Sequence, residues 1–237
     1  RSELDSTTFN FAISVNDNSD LIQSDSKKDK AIKLFSTLGG DENDTEEEKA
    51  RRMKDAGELA YAKGYYKQAE GLFSSAKLSY ETHNTNDINY YTTLANMGLL
   101  YGTVGRYTKA EEYTVNALEQ RKENLGEQSL GYGASLNNLA VLQNEMGNYN
   151  EAEINIKKAV QVLESSMGST TMPVAIAKNN EAMLYQTVGR FDLADELMEE
   201  VLAISNQLQG EKSNNHQKFL SNQALLYREM GRYDEAI

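Results

Sequence analysis

One short phrase, glycine-x-aromatic-x-x-alanine, occurs five times: Gly64/Tyr66/Ala69, Gly105/Tyr107/Ala110, Gly147/Tyr149/Ala152, Gly189/Phe191/Ala194 and Gly231/Tyr233/Ala236. Successive glycines stand 41, 42, 42 and 42 residues apart. A period this constant means stacked copies of one supersecondary unit, none able to bury its apolar face alone. Each copy reads the same way. In Leu136 to Ala152 an apolar helical stripe stops at Gly147, Tyr149 follows, and Ala152 opens a second helix. The unit is therefore a helix pair reversed at the glycine.

Periodicity and stop signals predict helices over 45–64, 66–80, 88–104, 107–125, 133–146, 149–167, 174–188, 191–208 and 216–230. The first opens on Thr45 with Glu48 three residues on, a capping-box spacing. Residues 1–44 form a separate N-terminal segment. Within it Lys30 to Phe35 reads as one short amphipathic helix, a degenerate earlier repeat or a cap on the open end of the array, with a disordered leader as the alternative. Residues 45–237 then make about four and a half repeats, the fifth cut inside its second helix. Its first helix, with Leu220, Ala224, Leu225 and Tyr227, offers an open face through which the chain could self-associate, and should exchange amide hydrogens quickly.

Composition removes several function classes. With 36 acidic against 24 basic residues the net charge is −12, which repels phosphate backbones and argues against nucleic acid. No apolar run reaches the roughly 20 residues of a membrane span. Absence of cysteine excludes disulfides and thiolate metal sites.

Catalytic and metal constellations are weak. His83, in an expected loop, and His216, at an expected helix start, are the only two histidines; both read as solvated surface residues with no ligand spacing between them. Ser74-Ser75-Ala76-Lys77 matches Ser-x-x-Lys, but Ala76 is a packing position. Gly131-Tyr132-Gly133 reads as a loop lacking the strand and third glycine of a nucleotide fingerprint. Asn43-Asp44-Thr45 is a formal glycosylation sequon. Glu111/Glu112 and Glu199/Glu200 read as solvated helix faces. No enzyme, cofactor or metal is expected.

Counting each glycine as position 15, small residues stand at position 8 (Gly98, Ala140, Ala182, Ala224) and tyrosines at position 11 (Tyr101, Tyr185, Tyr227). Alanines stand at position 20 (Ala110, Ala152, Ala194, Ala236). This pattern resembles the tetratricopeptide repeat, whose common form has a 34-residue period. The longer period, the phrase Leu136-Asn137-Asn138-Leu139-Ala140 and the run Leu118 to Gly126 resemble the kinesin-light-chain subclass. Departures are Ala60 and Gln143 at position 11 and a missing proline near position 32. The eight extra residues should lengthen the second helix and the connection after it. The resemblance implies an all-α fold, a right-handed superhelical solenoid of antiparallel helix pairs. Position 8 should then tolerate no bulk, so Ala182→Leu is expected to cost stability, whereas Gln120, expected to be exposed, should accept leucine.

Position 6 is asparagine in four repeats: Asn96, Asn138, Asn180 and Asn222. Asparagine is a middling helix former, so its recurrence at one face needs a cause. With positions 2, 9 and 13 it forms the stripes Thr92-Asn96-Leu99-Thr103, Ala134-Asn138-Val141-Glu145, Ile176-Asn180-Met183-Thr187 and Lys218-Asn222-Leu225-Glu229. The resemblance implies that this face lines a concave groove where asparagines hold an extended peptide. The candidate peptide-binding residues are Asn96, Leu99, Asn138, Val141, Asn180, Met183, Asn222 and Leu225. Alternatively the asparagines bond neighbouring helices and hold repeat geometry. Repeat one has Arg51, Asp55 and Glu58 on this face, so the ladder should fade there. The expected function is a non-enzymatic adaptor for a protein or peptide partner; the alternative is a regulatory or sensor segment of a larger enzyme or signalling protein.

Overall fold

A computed structural model describes residues 44–236; the expected helix over Lys30 to Phe35 and the asparagine of the sequon lie outside the described residues. Among the described residues there is no strand. The helices are α1 (Glu46–Ala62), α2 (Tyr66–His83), α3 (Ile88–Thr103), α4 (Tyr107–Leu125), α5 (Leu130–Glu145), α6 (Tyr149–Met167), α7 (Met172–Thr187), α8 (Phe191–Gln209) and α9 (Asn214–Glu229). A short 3-10 turn, Tyr233–Glu235, follows.

Side chains cap the starts of α1, α3, α5 and α9. Thr45 Oγ accepts the Glu48 amide at 3.2 Å while the Thr45 amide donates to the Glu48 carboxylate at 2.8 Å, the reciprocal pair its spacing predicts. Asp87 caps α3, Ser129 caps α5 and Ser213 caps α9. The Ser129 cap corrects one expectation. Gly131-Tyr132-Gly133 is not a loop but the first turn of α5, because Ser129 accepts the Tyr132 amide at 3.2 Å and starts the helix early.

Each first helix stops the same way. Gly64, Gly105, Gly147, Gly189 and Gly231 have φ between +73° and +82°, and the amide after each donates at 2.8 Å to the carbonyl of position 11. Only glycine enters that region without a Cβ penalty, so the period of the glycines is the period of the reversals. The extra length appears where expected. The second helices α4, α6 and α8 run 19 residues and the first helices α3, α5, α7 and α9 run 16.

The chain forms two compact units dividing after Gln120, within α4. In the first, α1 packs on α2, and α3 packs on both. Its core holds Tyr80, Tyr91, Leu94 and Ala117. The close approach at position 8 is explicit here: a Cβ on Gly98 would run into the Thr114 hydroxyl and lie 3.2 Å from the Thr114 amide nitrogen. In the second unit each helix from α5 to α9 packs on the next, and the first helices α5, α7 and α9 also touch in order. The core there runs through Ile156 and Leu184 to Tyr185, Met198, Val201, Phe219 and Leu226. Ala140 and Ala182 are buried, but Ala224 is only half-buried, because α9 buries few side chains: His216, Phe219 and Leu226.

Two surface expectations change. Gln120 is half-buried rather than exposed. His216 is 6% exposed, its Nδ1 3.1 Å from the buried Ser205 hydroxyl, because the α9 cap turns its ring toward α8. His83 is exposed as expected, but it ends α2 rather than lying in a loop, its Nδ1 2.9 Å from the Ser79 carbonyl.

Candidate functional site

The asparagine face lies on the first helix of each pair, and each unit uses it differently. In the first unit Asn96, buried on α3, donates to Glu58 Oε1 of α1 at 2.8 Å. Glu58 also takes the ammonium of Lys54, itself 4% exposed, at 3.1 Å. A buried lysine needs such partners. Lys54 has a second in Asp55 at 2.9 Å. The bonding therefore continues into repeat one as charge, where the amides stop. Leu99 is half-buried beside it.

In the second unit the carboxamides form a row. Asn222 on α9 donates to Asn179 Oδ1 on α7 at 2.9 Å, and Asn180 on α7 donates to Asn137 Oδ1 on α5 at 2.9 Å. Within each helix a longer bond joins neighbours. Asn179 donates to Asn180 Oδ1, and Asn137 to Asn138 Oδ1, both at 3.4 Å. Asn137 and Asn179 are fully buried, Asn180 is 4% exposed, and Asn138 and Asn222 are half-buried. Buried amides are expensive unless paired, and these pair with one another. Asn137 and Asn179 were not among the expected site residues. Their signal is the doubled Asn-Asn at Asn137-Asn138 and Asn179-Asn180.

Beside the row runs an apolar edge. Val141 and Met183 are half-buried and Leu225 is 37% exposed. Three of the expected residues, Val141, Asn180 and Met183, come together at a notch between α5 and α7, completed by Ala140, Asn144, Ile156 and Leu184. Its free volume is about 10 Å³, room for roughly one water molecule. The Asn144 Oδ1 atom is buried and has no hydrogen-bond partner. Such an acceptor costs about 1–3 kcal/mol until a donor reaches it.

Glu145 follows on α5, one turn from Val141. Solvent touches this residue, yet crowding by surrounding atoms desolvates its carboxyl and pushes the pKa up. No ion pair to Glu145 is present among the described residues.

No group of three or more His, Cys, Asp or Glu side chains that could hold a metal ion occurs among the described residues. No helix among them is long and apolar enough to cross a membrane. Ala76, inside the Ser-x-x-Lys match, is fully buried in the core.

Comparison with known proteins follows the geometry. The tetratricopeptide repeat family model matches residues 89–165 and 173–237. No curated protein matches the sequence. Among solved structures, BtubC (BKLC) from P. vanneervenii is similar with a TM-score of 0.69 at 21% identity, over 89% of this chain and 84% of that one. The TPR-like kinesin light chain repeats of Podosopora anserina give 0.63 at 18%, over 78% of this chain and 89% of that one. NprR in complex with its cognate peptide NprX gives 0.65 at 17%, over 90% of this chain and 58% of that one. At these identities the likeness is one of fold.

Proposed function

Because the chain belongs to the tetratricopeptide repeat family, we propose that it is a non-enzymatic adaptor that holds an extended segment of a partner protein along the first-helix faces. The observation that carries this reading is the notch between α5 and α7. It gathers Val141, Asn180 and Met183 with a buried acceptor, Asn144 Oδ1, that has no donor. A peptide backbone supplies one N–H per residue, and its side chains supply apolar cover for the Val141, Met183 and Leu225 edge. The binding of a peptide by NprR, similar in fold, is consistent with this use.

The amides take a different part from a simple peptide clamp. One N–H of Asn180 serves Asn137 and one N–H of Asn222 serves Asn179. The row therefore stiffens the floor, and ligand contacts in the second unit fall to Asn138, Val141, Met183 and Leu225; in the first unit, taken by itself, Leu99 stands beside Asn96, which Glu58 holds.

A display library of short random peptides, panned on the whole chain, tests the reading. Recovered peptides should bind the wild type and lose binding to Met183→Glu, whose helicity by circular dichroism should be unchanged. Recovery of no peptide, or of peptides that bind Met183→Glu equally well, overturns it.

A further inference from the structure

We propose that Met183 is a modification site: hydrogen peroxide converts its thioether to a sulfoxide, and the carboxamides of Asn179 and Asn222 receive the new oxygen. The site does not depend on whether the groove holds a peptide. Two side-chain nitrogens face the one sulfur. Asn179 Nδ2 lies 3.6 Å from Met183 Sδ, and Asn222 Nδ2 lies 3.8 Å from it. A carboxamide nitrogen carries two hydrogens. One hydrogen of Asn222 goes to Asn179 Oδ1 at 2.9 Å, and one of Asn179 goes to Asn180 Oδ1 at 3.4 Å. The second hydrogen of each is left with a thioether, a weak acceptor. Asn179 is fully buried, so solvent does not reach its second N–H. A buried donor with so poor a partner is uncommon in a folded chain. A sulfoxide oxygen stands about 1.5 Å out from its sulfur, which brings a strong acceptor into the hydrogen-bonding range of these nitrogens.

In the reaction a sulfur lone pair attacks one peroxide oxygen and the O–O bond breaks. The proton on that oxygen passes to the departing one, which leaves as water. Sulfur is oxidised by two electrons and the peroxide is reduced by two. Negative charge builds on the transferred oxygen, where the two N–H groups lie. Surroundings separate this sulfur from the others of the chain. Met97 and Met198 are closed in the core, 1% and 2% exposed. Met53, Met146, Met167, Met172 and Met230 are half-buried, as Met183 is. Among the described residues a donor also approaches Met230, Arg232 Nη1 at 4.0 Å, but that guanidinium already holds Asp195 and Glu235. Met183 stands on α7 and Asn222 on α9. Its oxygen therefore adds a bond between two helices, at the end of the array where α9 buries few side chains.

The whole chain with leucine at the other five half-buried methionines isolates the site, since that exchange conserves volume. Dilute hydrogen peroxide should oxidise Met183 in the folded protein, read by mass spectrometry of its proteolytic peptide. One side-chain N–H resonance of Asn179 and one of Asn222 should then move downfield in the nuclear magnetic resonance spectrum. Backbone amides of α9 should exchange about threefold more slowly. In Asn222→Ala the same oxidation should leave α9 exchange unchanged. The unaltered chain, mapped in the same way, should show Met183 oxidised and Met97 and Met198 reduced, and its resonances serve if the leucine variant does not fold. Met183 staying reduced in the folded chain overturns the proposal. So does a sulfoxide that leaves both side-chain resonances in place, since its oxygen then points to solvent. Faster exchange of α9 after oxidation overturns it as well, because the oxygen would then break the α7–α9 contact instead of joining it.

Discussion

Arg190 reaches back across a repeat junction to Glu153, its Nη1 3.1 Å from both carboxylate oxygens. The Tyr185 ring lies 5.7 Å from the same guanidinium, and its hydroxyl points to Glu153 at 3.5 Å. The arrangement recurs. Arg106 and Tyr101 meet Glu70 at 3.2 and 3.0 Å, and Arg232, 4.2 Å from the Tyr227 ring, pairs with Asp195. Each arginine directly follows the reversal glycine, so the turn that ends the helix also aims it. Repeat three has Asn148 and Gln143 at these places, and Gln143 accepts instead from Asn155 at 2.8 Å. Because Arg190 is half-exposed, Arg190→Ala should lower stability by no more than about 1 kcal/mol, measured by urea denaturation. A loss several times larger would mean that the arginine also supports the turn.

The two acids around Tyr185 should give opposite pH dependences. A hydrogen bond from Lys157, then its charge and that of Arg190, holds the Glu153 carboxyl below the usual range. A depressed folded pKa contributes stability that is present above the unfolded value, about 4.3, and is lost as pH falls through the folded value. Burial pushes Glu181 up, against a hydrogen bond from Tyr185 at 3.1 Å. Its contribution is present below the unfolded value and lost as pH rises through the folded one. Melting temperatures of Glu153→Gln and Glu181→Gln across acid to neutral pH check this. Glu181→Gln should be the relatively better stabilised of the two at neutral pH, and the reverse order would contradict the assignment.

Position 8 should reject bulk wherever its partner helix is present. Ala182→Leu should cost about 1–3 kcal/mol by overpacking. Gly98→Ala should also destabilise, since the new methyl meets Thr114 and lies 3.3 Å from the Ala110 carbonyl. Glu119, exposed on α4, is the control in place of half-buried Gln120 and should take leucine almost neutrally. Equal melting temperatures for Ala182→Leu and Glu119→Leu would sink the register.

Asn180→Ala strips the one amide donor to Asn137 Oδ1 among the described residues. It should cost about 1–3 kcal/mol, the penalty for a buried acceptor left unpaired. Asn137→Ala with Asn180→Ala should cost less than the sum of the two, because the pair is removed together. Strict additivity in denaturant titrations would show that this bond contributes nothing.

Amide exchange should be faster in α9 than in α5. α5 buries ten residues, among them Leu136, Leu139 and Leu142, whereas α9 buries only His216, Phe219 and Leu226 and leaves Leu220 and Leu225 exposed. Equal protection of both helices in the monomer would contradict this.

The glycine period made most of the fold readable, because a left-handed residue ends a helix wherever it stands. The expected spans of α4 and α6 match those observed, Tyr107–Leu125 and Tyr149–Met167. Starts were harder. The apolar stripe of α5 begins after its cap, so Ser129 starts a helix where periodicity still reads as loop. His216 sits in a polar run that looks solvated, and only the packing of α9 on α8 buries it. Among the site residues, Asn180 and Asn222 were legible as a recurrence. That they donate to Asn137 and Asn179 depends on how α5, α7 and α9 are rotated against each other, which no single helix encodes. Asn144 gave no recurrent signal, since the same position holds Tyr61, Gly102, Gln186 and Arg228 in the other repeats.

The row of carboxamides has a direction. From Asn222 through Asn179, Asn180 and Asn137 to Asn138, every N–H points the same way. Turning over one interior member would set two oxygens facing each other on one side and two NH₂ groups on the other, so no member can invert alone. Apolar contacts between stacked repeats have no such polarity and slip without a change of sign. The row therefore acts as a vernier between α5, α7 and α9: a shift of one helix by one residue breaks its alignment, although the oily contacts behind it would still fit.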